Sequence, residues 1–193
     1  AGDAVGVIAD AVVVVVSASN YKATFFDGEC AVIATDIPAE EQGTGMLFNM
    51  DGEVVGMISS SVWNDTGKNV VNAYGISDLK PIIELLINGK SVPYIGIYGT
   101  TVTEQLAEEH KMPSGIYVAD VDPDSPAMAA GIQIGDIICE ASGEEIKDIA
   151  AYQNIVIGSS VGETMEFVGK RLGSDGYVNI KFSVVTTEKE EVK

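Results

Sequence analysis

The sequence predicts a mainly β protein in two parts. Three observations carry that reading. Residues 1–76 hold short apolar runs of strand length, separated by turn signals such as Asp27-Gly28 and Asp51-Gly52, where glycine suits the positive φ of a hairpin. One stretch of helical period, Ser77–Asn88, then closes the first part before a Gly-Lys-Ser-Val-Pro linker at 89–93. Finally, Val121–Asp136, VDPDSPAMAAGIQIGD, reads as a turn, a short helix and a second turn.

In order, the first part offers strands at Val5–Ile8, Ala11–Ser17, Ala23–Phe26, Glu29–Ala34, Gly45–Asn49, Glu53–Ser59 and Val70–Tyr74. Ser77–Asn88 places Leu79, Ile82, Ile83, Leu86 and Ile87 on one face, with Ser77 as cap, Pro81 in the first turn and Gly89 as stop. The second part offers strands at Ile95–Tyr98, Gly115–Val121, Asp136–Ala141, Glu144–Ile146, Thr164–Lys170 and Tyr177–Val185. It carries two helices. Ser125 caps one that has Pro126 at its first position and ends at Gly131; Asp148 caps the other, Ile149–Ile157. The domains expected are 1–90 and 91–187, with a charged tail at 188–193.

Composition narrows the partners. Twenty-nine acidic against 11 basic side chains give a formal net charge of −18, which argues against nucleic acid or an anionic membrane surface. Hydrophobic residues make up 46% of the chain, enough for real cores. The longest wholly apolar run, Ala11–Val16, is too short to span a bilayer, and no basic segment makes it a signal peptide. Cys30 and Cys139 fall in different parts and read as free buried thiols. No metal-ligand spacing is present, so no cofactor is expected.

Val121–Asp136 resembles the PDZ domains of HtrA/Deg proteases, and the resemblance extends over 91–187. It implies an extended peptide, often a C-terminus, added as a strand beside an open sheet edge. Tyr94-Ile95-Gly96-Ile97 matches the family's carboxylate-binding loop, with Gly96 permitting close backbone approach and Ile95 and Ile97 offering apolar surface. On the facing helix, Tyr152 and Val156 are placed toward the core, and Ile149 and Gln153 nearer the groove. A peptide with an apolar last residue is the implied ligand, the alternative being a groove filled by the chain's own tail. If acidic groups surround the groove, basic or neutral peptides associate faster than acidic ones.

A second resemblance lies in the first part. Thr35-Asp36 followed by Gly45–Gly56 is similar to the nucleophile region of HtrA-type serine proteases, T-D-x5-G-N-S-G-G-P-L-x-N-x-D-G-x-V-x-G. That loop exposes a serine and aims backbone N–H groups at a developing oxyanion. Here Gln42-Gly43-Thr44-Gly45-Met46 replaces it, one residue short. Counting from Thr35 puts Thr44 at the nucleophile position; counting back from Leu47 puts Gly43 there. Neither count supplies a serine. The chain's one histidine, His110, reads as a solvated loop residue between strands. A triad histidine would sit in the first barrel of a trypsin-like fold, whereas residues 1–90 correspond to the second, beginning near Gly2-Asp3-Ala4-Val5. The expectation is a piece of a longer, extracytoplasmic protein that binds peptides without cutting them. The alternatives are an active protease using Thr44 and a self-associating scaffold, with a homo-oligomer possible in each case.

The remaining features have plain explanations. Ser17–Ser19, Ser59–Ser61, Glu40-Glu41 and Glu188–Glu191 read as loops and solvated charge; Asp65–Lys68 reads as a turn. Trp63 reads as a packing residue, and Met46, Met50 and Met57 as core filler.

Overall fold

The computed structural model describes residues 4–7, 12–15, 22–38, 44–59, 62 and 70–188. Two compact units emerge, Ala1–Ala23 with Cys30–Ile83, and Thr24–Glu29 with Glu84–Lys193. Along the chain the divide falls at Ile83/Glu84, and one short early segment, Thr24–Glu29, joins the later unit.

Among the described residues the first sheet is antiparallel, with seven strands: β1 (Ala4–Val7), β2 (Val12–Val15), β3 (Lys22–Phe25), β4 (Gly28–Pro38), β5 (Gly45–Phe48), β6 (Val54–Ile58) and β7 (Val70–Gly75). Their order is β2-β1-β5-β6-β7-β4-β3. Alternation decides its core: Leu47 and Ile58 turn inward to meet Ala73, with Ile33, Val55 and Val71 packed against them. The β5–β6 turn forms as its sequence predicts. Asn49 Oδ1 accepts from the N–H groups of Asp51 and Glu53 at 3.0 and 2.9 Å, and Gly52 takes φ 82°. Met46, Met50 and Met57 are exposed, so they are not core filler. Trp63, Gly43, Ser17–Ser19, Ser60, Ser61, Glu40-Glu41 and Asp65–Lys68 lie outside the described residues.

Helix α1 (Ile76–Ile87) begins one residue before its expected cap, so Ser77 lies inside it and Pro81 falls in the second turn. Leu79, Ile82 and Ile83 are half-buried, but Leu86 and Ile87 are 58% and 75% exposed. Helical spacing shows which residues share a face; it does not guarantee that anything covers that face. Asp78 in the first turn accepts from the Ala31 N–H at 2.7 Å and lies beside Cys30, whose thiol bonds weakly to Gly75 O. Burial, with the Asp78 charge adding to it, pushes the Cys30 thiol up to about 12. At pH 8 such a thiol is roughly one part in ten thousand thiolate. Labelling of Cys30 by iodoacetamide, followed by mass spectrometry, is expected to run about a thousandfold slower in the native chain than in urea. It should accelerate only as pH climbs toward the raised value; native labelling at the unfolded rate near pH 8 would refute this.

The second unit is built on the sheet order β14-β13-β11-β10-β9, comprising β9 (Ile97–Thr101), β10 (Ile116–Val121), β11 (Ile137–Ala141), β13 (Thr164–Gly173) and β14 (Gly176–Val185). β12 (Glu144–Glu145) pairs with β11, and β8 (Pro93–Tyr94) with β15 (Thr187–Glu188). Strand β9 ends the sheet order. The three helices are α2 (Glu104–His110), α3 (Pro126–Ala129) and α4 (Ile149–Gly158). α3 and α4 start as expected: Ser125 Oγ accepts from the Met128 N–H at 3.2 Å and Asp148 Oδ1 from the Ala151 N–H at 2.7 Å. α2 departs from the expected loop. It buries no residue, so it leaves no apolar stripe to read, and His110 is the exposed last residue of that helix. The core runs through Ile95, Ile97, Ile116, Val118, Ile138, Tyr152, Val156 and Phe167. Cys139 is a free, half-buried thiol and Cys30 a free, buried one.

Candidate functional site

The site is assembled from one loop, one helix and one turn of the second unit. In the loop, Ile95 O accepts from the Ala127 N–H at 3.0 Å and Gly96 O from the Asp122 N–H at 2.9 Å. Those bonds fix the carbonyls toward α3 and Asp122, leaving the loop's amide hydrogens to converge elsewhere. Gly96 has φ 93°, and a Cβ there would lie 2.4 Å from Ser125 Cβ, so both the backbone angle and the space require glycine. Tyr94 braces the loop through a hydrogen bond from its hydroxyl to Asp122 Oδ2. Burial, then this carboxylate, holds the phenol well above its ordinary value, so it stays a donor.

The converging amides meet a carboxylate. Asp27 Oδ2 accepts from the N–H groups of Ile95 and Gly96 at 2.7 and 2.8 Å, and Oδ1 from that of Ile97 at 2.9 Å. The Tyr152 hydroxyl of α4 donates to Oδ1 at 2.6 Å. The Asp27 N–H donates in turn to Ile97 O at 2.7 Å. Asp27 is buried, and burial draws its carboxyl above the ordinary value while the four donors pull the other way. Burial also holds the Tyr152 phenol far above its usual range, with the Asp27 charge adding to it. Beside Asp27, the Glu29 N–H donates to Gln153 Oε1 at 3.1 Å, and a Cβ on Gly28 would lie 2.6 Å from Gln153 Cδ. Phe26 meets the Tyr98 ring edge-on at 5.8 Å.

The structure thus brings Tyr94, Ile95, Gly96, Ile97 and Gln153 to one locus. Ile95, Ile97 and Ile149 are fully buried in the core cluster, and the Ile149 N–H donates to Thr101 Oγ1 at 3.1 Å. Tyr152 is also in that cluster, as expected, yet its hydroxyl belongs to the site, which a reading of helix phase alone does not detect. Asp27 carries no mark of a site residue in the sequence. Its Asp-Gly signal reads as an ordinary turn with glycine at positive φ, but Asp27 itself takes φ 63° and Gly28 does not take a positive φ. A charged, non-glycine residue buried in that conformation was the only available hint, and it needs the structure to be seen.

In the nucleophile region, Thr35 Oγ1 donates to Val71 O and accepts from the Ile37 N–H at 3.2 Å, a structural role between strands. Thr44 is exposed just before β5, and Gly43 lies outside the described residues. His110 and Thr44 belong to different units.

Comparisons agree with this architecture. Residues 117–171 match the family model of the PDZ domain. The chain is 30% identical over 155 residues to a probable periplasmic serine endoprotease, DegP-like, of Halomonas elongata, covering 77% of this chain and 32% of that protein. It is also 30% identical over 174 residues to the serine protease Do-like HtrA of Bacillus subtilis, covering 83% and 38%. The chain therefore spans about a third of the length of these curated relatives. Among solved structures, the HtrA-type protease AlgW with decapeptide superposes with TM-score 0.60 at 19% identity, covering 99% of this chain and 61% of that one. The serine endoprotease from Yersinia pestis gives TM-score 0.53 at 23% identity, covering 98% and 63%. These two likenesses speak to the fold alone. No helix among the described residues is long and apolar enough to cross a membrane.

Proposed function

We propose that this chain, HtrA-type in sequence and fold and carrying a PDZ domain, binds protein C-termini with an apolar last residue through residues 91–187, and does not cut them. One observation carries the reading: the N–H groups of Ile95, Gly96 and Ile97 converge on a carboxylate beside β9, the strand that ends its sheet. A terminal α-carboxylate has the same two acceptor oxygens, and an edge strand next to α4 offers the ladder along which a peptide extends. Tyr94, Gln153 and the backbone N–H groups of Ile95, Gly96 and Ile97 form the proposed groove, with Tyr152 added through its hydroxyl; Ile149, expected near the groove, is core instead.

The absence of cutting rests on Gly43 and Thr44 standing where the related proteases carry serine. Loss of a triad serine costs on the order of a millionfold in turnover. Relatives described as periplasmic support a place outside the cytoplasm for the parent protein.

A C-terminal peptide library screened by fluorescence polarisation tests the binding. Saturable binding of free-carboxylate peptides ending in an apolar residue is expected, with loss on C-terminal amidation. Absence of binding across the library would reject the reading. Amidation is a cleaner control than Gly96→Trp, because any side chain at Gly96 collides with Ser125 and distorts the loop itself.

A further inference from the structure

The carboxylate loop already has an occupant. We infer that Asp27 is a resident internal ligand of the peptide groove, a side-chain carboxylate standing where a terminal carboxylate would bind, so that an incoming C-terminus must displace the Phe26-Asp27 turn. The inference rests on the proposed function for what is displaced, and on geometry for what occupies.

Three separate sets of partners are taken at once. The loop amides of Ile95, Gly96 and Ile97, together with the Tyr152 hydroxyl, are bonded to the two Asp27 oxygens. Ile97 O, which an added strand would use for its first bond to β9, already accepts from the Asp27 N–H. Gln153 Oε1 on the facing helix already accepts from the Glu29 N–H, with Gly28 packed against the same side chain. A turn that needed only to reverse the chain would not require all of these partners. Nor would it require the carboxylate itself to be buried. The donors that would hold a terminal carboxylate are already bonded to Asp27.

The consequence for affinity is arithmetic. A tethered ligand acts at an effective concentration in the millimolar range, and an external peptide's apparent Kd rises by the inverse of the fraction of molecules whose seat is open. Removing the carboxylate should therefore tighten external binding on the order of tenfold or more.

The test uses the full chain and a fluorescein-labelled decapeptide ending in valine, against wild type, Asp27→Ala and Asp27→Asn. The asparagine variant keeps the shape and tolerates positive φ, which guards against simple loss of fold. Backbone amide NMR resonances of Ile95, Gly96 and Ile97 are recorded without peptide as a second readout. Tighter binding by both variants, with the three amides shifted from their wild-type positions, supports the inference. Equal affinity in all three proteins with unmoved amides overturns it and leaves the proposed peptide binding intact. Shifted amides with no peptide bound by any protein would uphold Asp27 as occupant and reject the peptide reading.

Discussion

Replacing Gly115 by alanine is expected to destabilise the second unit by about 3 kcal/mol or more. Gly115 has φ 138°, and a Cβ built on it would lie 2.3 Å from Ile138 O and 3.0 Å from Ile138 C. Both obstacles are backbone atoms of β11, so no rotamer change relieves the clash. Gly115 also leads into β10, and its carbonyl accepts from the Val102 N–H at 2.9 Å. Yielding there disturbs the pairing of Ile116 with both Ile138 and Thr101. Gly135→Ala is the natural control: φ is 93°, but nothing lies within 4 Å of the added methyl, so it should cost about 1–2 kcal/mol. Urea unfolding followed by far-UV circular dichroism measures both. Equal costs for the two would show that the collision at Gly115 is absorbed.

The second large effect concerns Arg171. Its Nε and Nη2 donate to Asp136 Oδ1 and Oδ2 at 2.6 and 2.7 Å, and Nη2 also donates to Gly131 O at 3.0 Å. The Arg171 side chain is 33% exposed, whereas that of Asp136 is 1% exposed. Removing the arginine leaves a buried carboxylate with the Gln133 N–H, at 2.9 Å, as its remaining described donor. A fully buried pair broken in this way costs about 3–5 kcal/mol, and partial exposure of the arginine places Arg171→Ala near the lower end, about 3 kcal/mol. Asp136→Ala should cost less, because an arginine already a third exposed regains water. The ordering is the decisive quantity in a denaturant series. If Asp136→Ala proved the more damaging, turn geometry at Gln133–Asp136 would matter more than the ion pair.

Some of this was legible in the residues alone. From Asp122 to Asp136, proline, a capping serine and two glycines each impose a local conformation, and α3 starts where they say. Asp148 and the apolar run after it place α4 just as directly. Legibility failed wherever the outcome depended on distant partners. α2 has a capping threonine but no apolar face, so a search for hydrophobic period passes over it. Leu86 and Ile87 look like core and are exposed, because spacing cannot report whether a neighbour exists. Asp27 is the sharpest case. Asp-Gly is a turn signal wherever it stands, and nothing local says that this aspartate's carboxylate will be held by residues beyond position 94.

That separation bears on the order in which the molecule comes together. In the sheet order β14-β13-β11-β10-β9, neighbouring strands are separated by 2 to 22 residues along the chain. The bonds of the Asp27 turn span 68 to 125 residues instead. Short loops close in tens of nanoseconds and local hairpins in microseconds, whereas distant pairings wait on a larger entropic search. The sheet is therefore expected to pair before the Asp27 turn docks against it. On that order a folding chain would pass through a state in which the loop amides hold no internal carboxylate, and an outside one would meet no competitor.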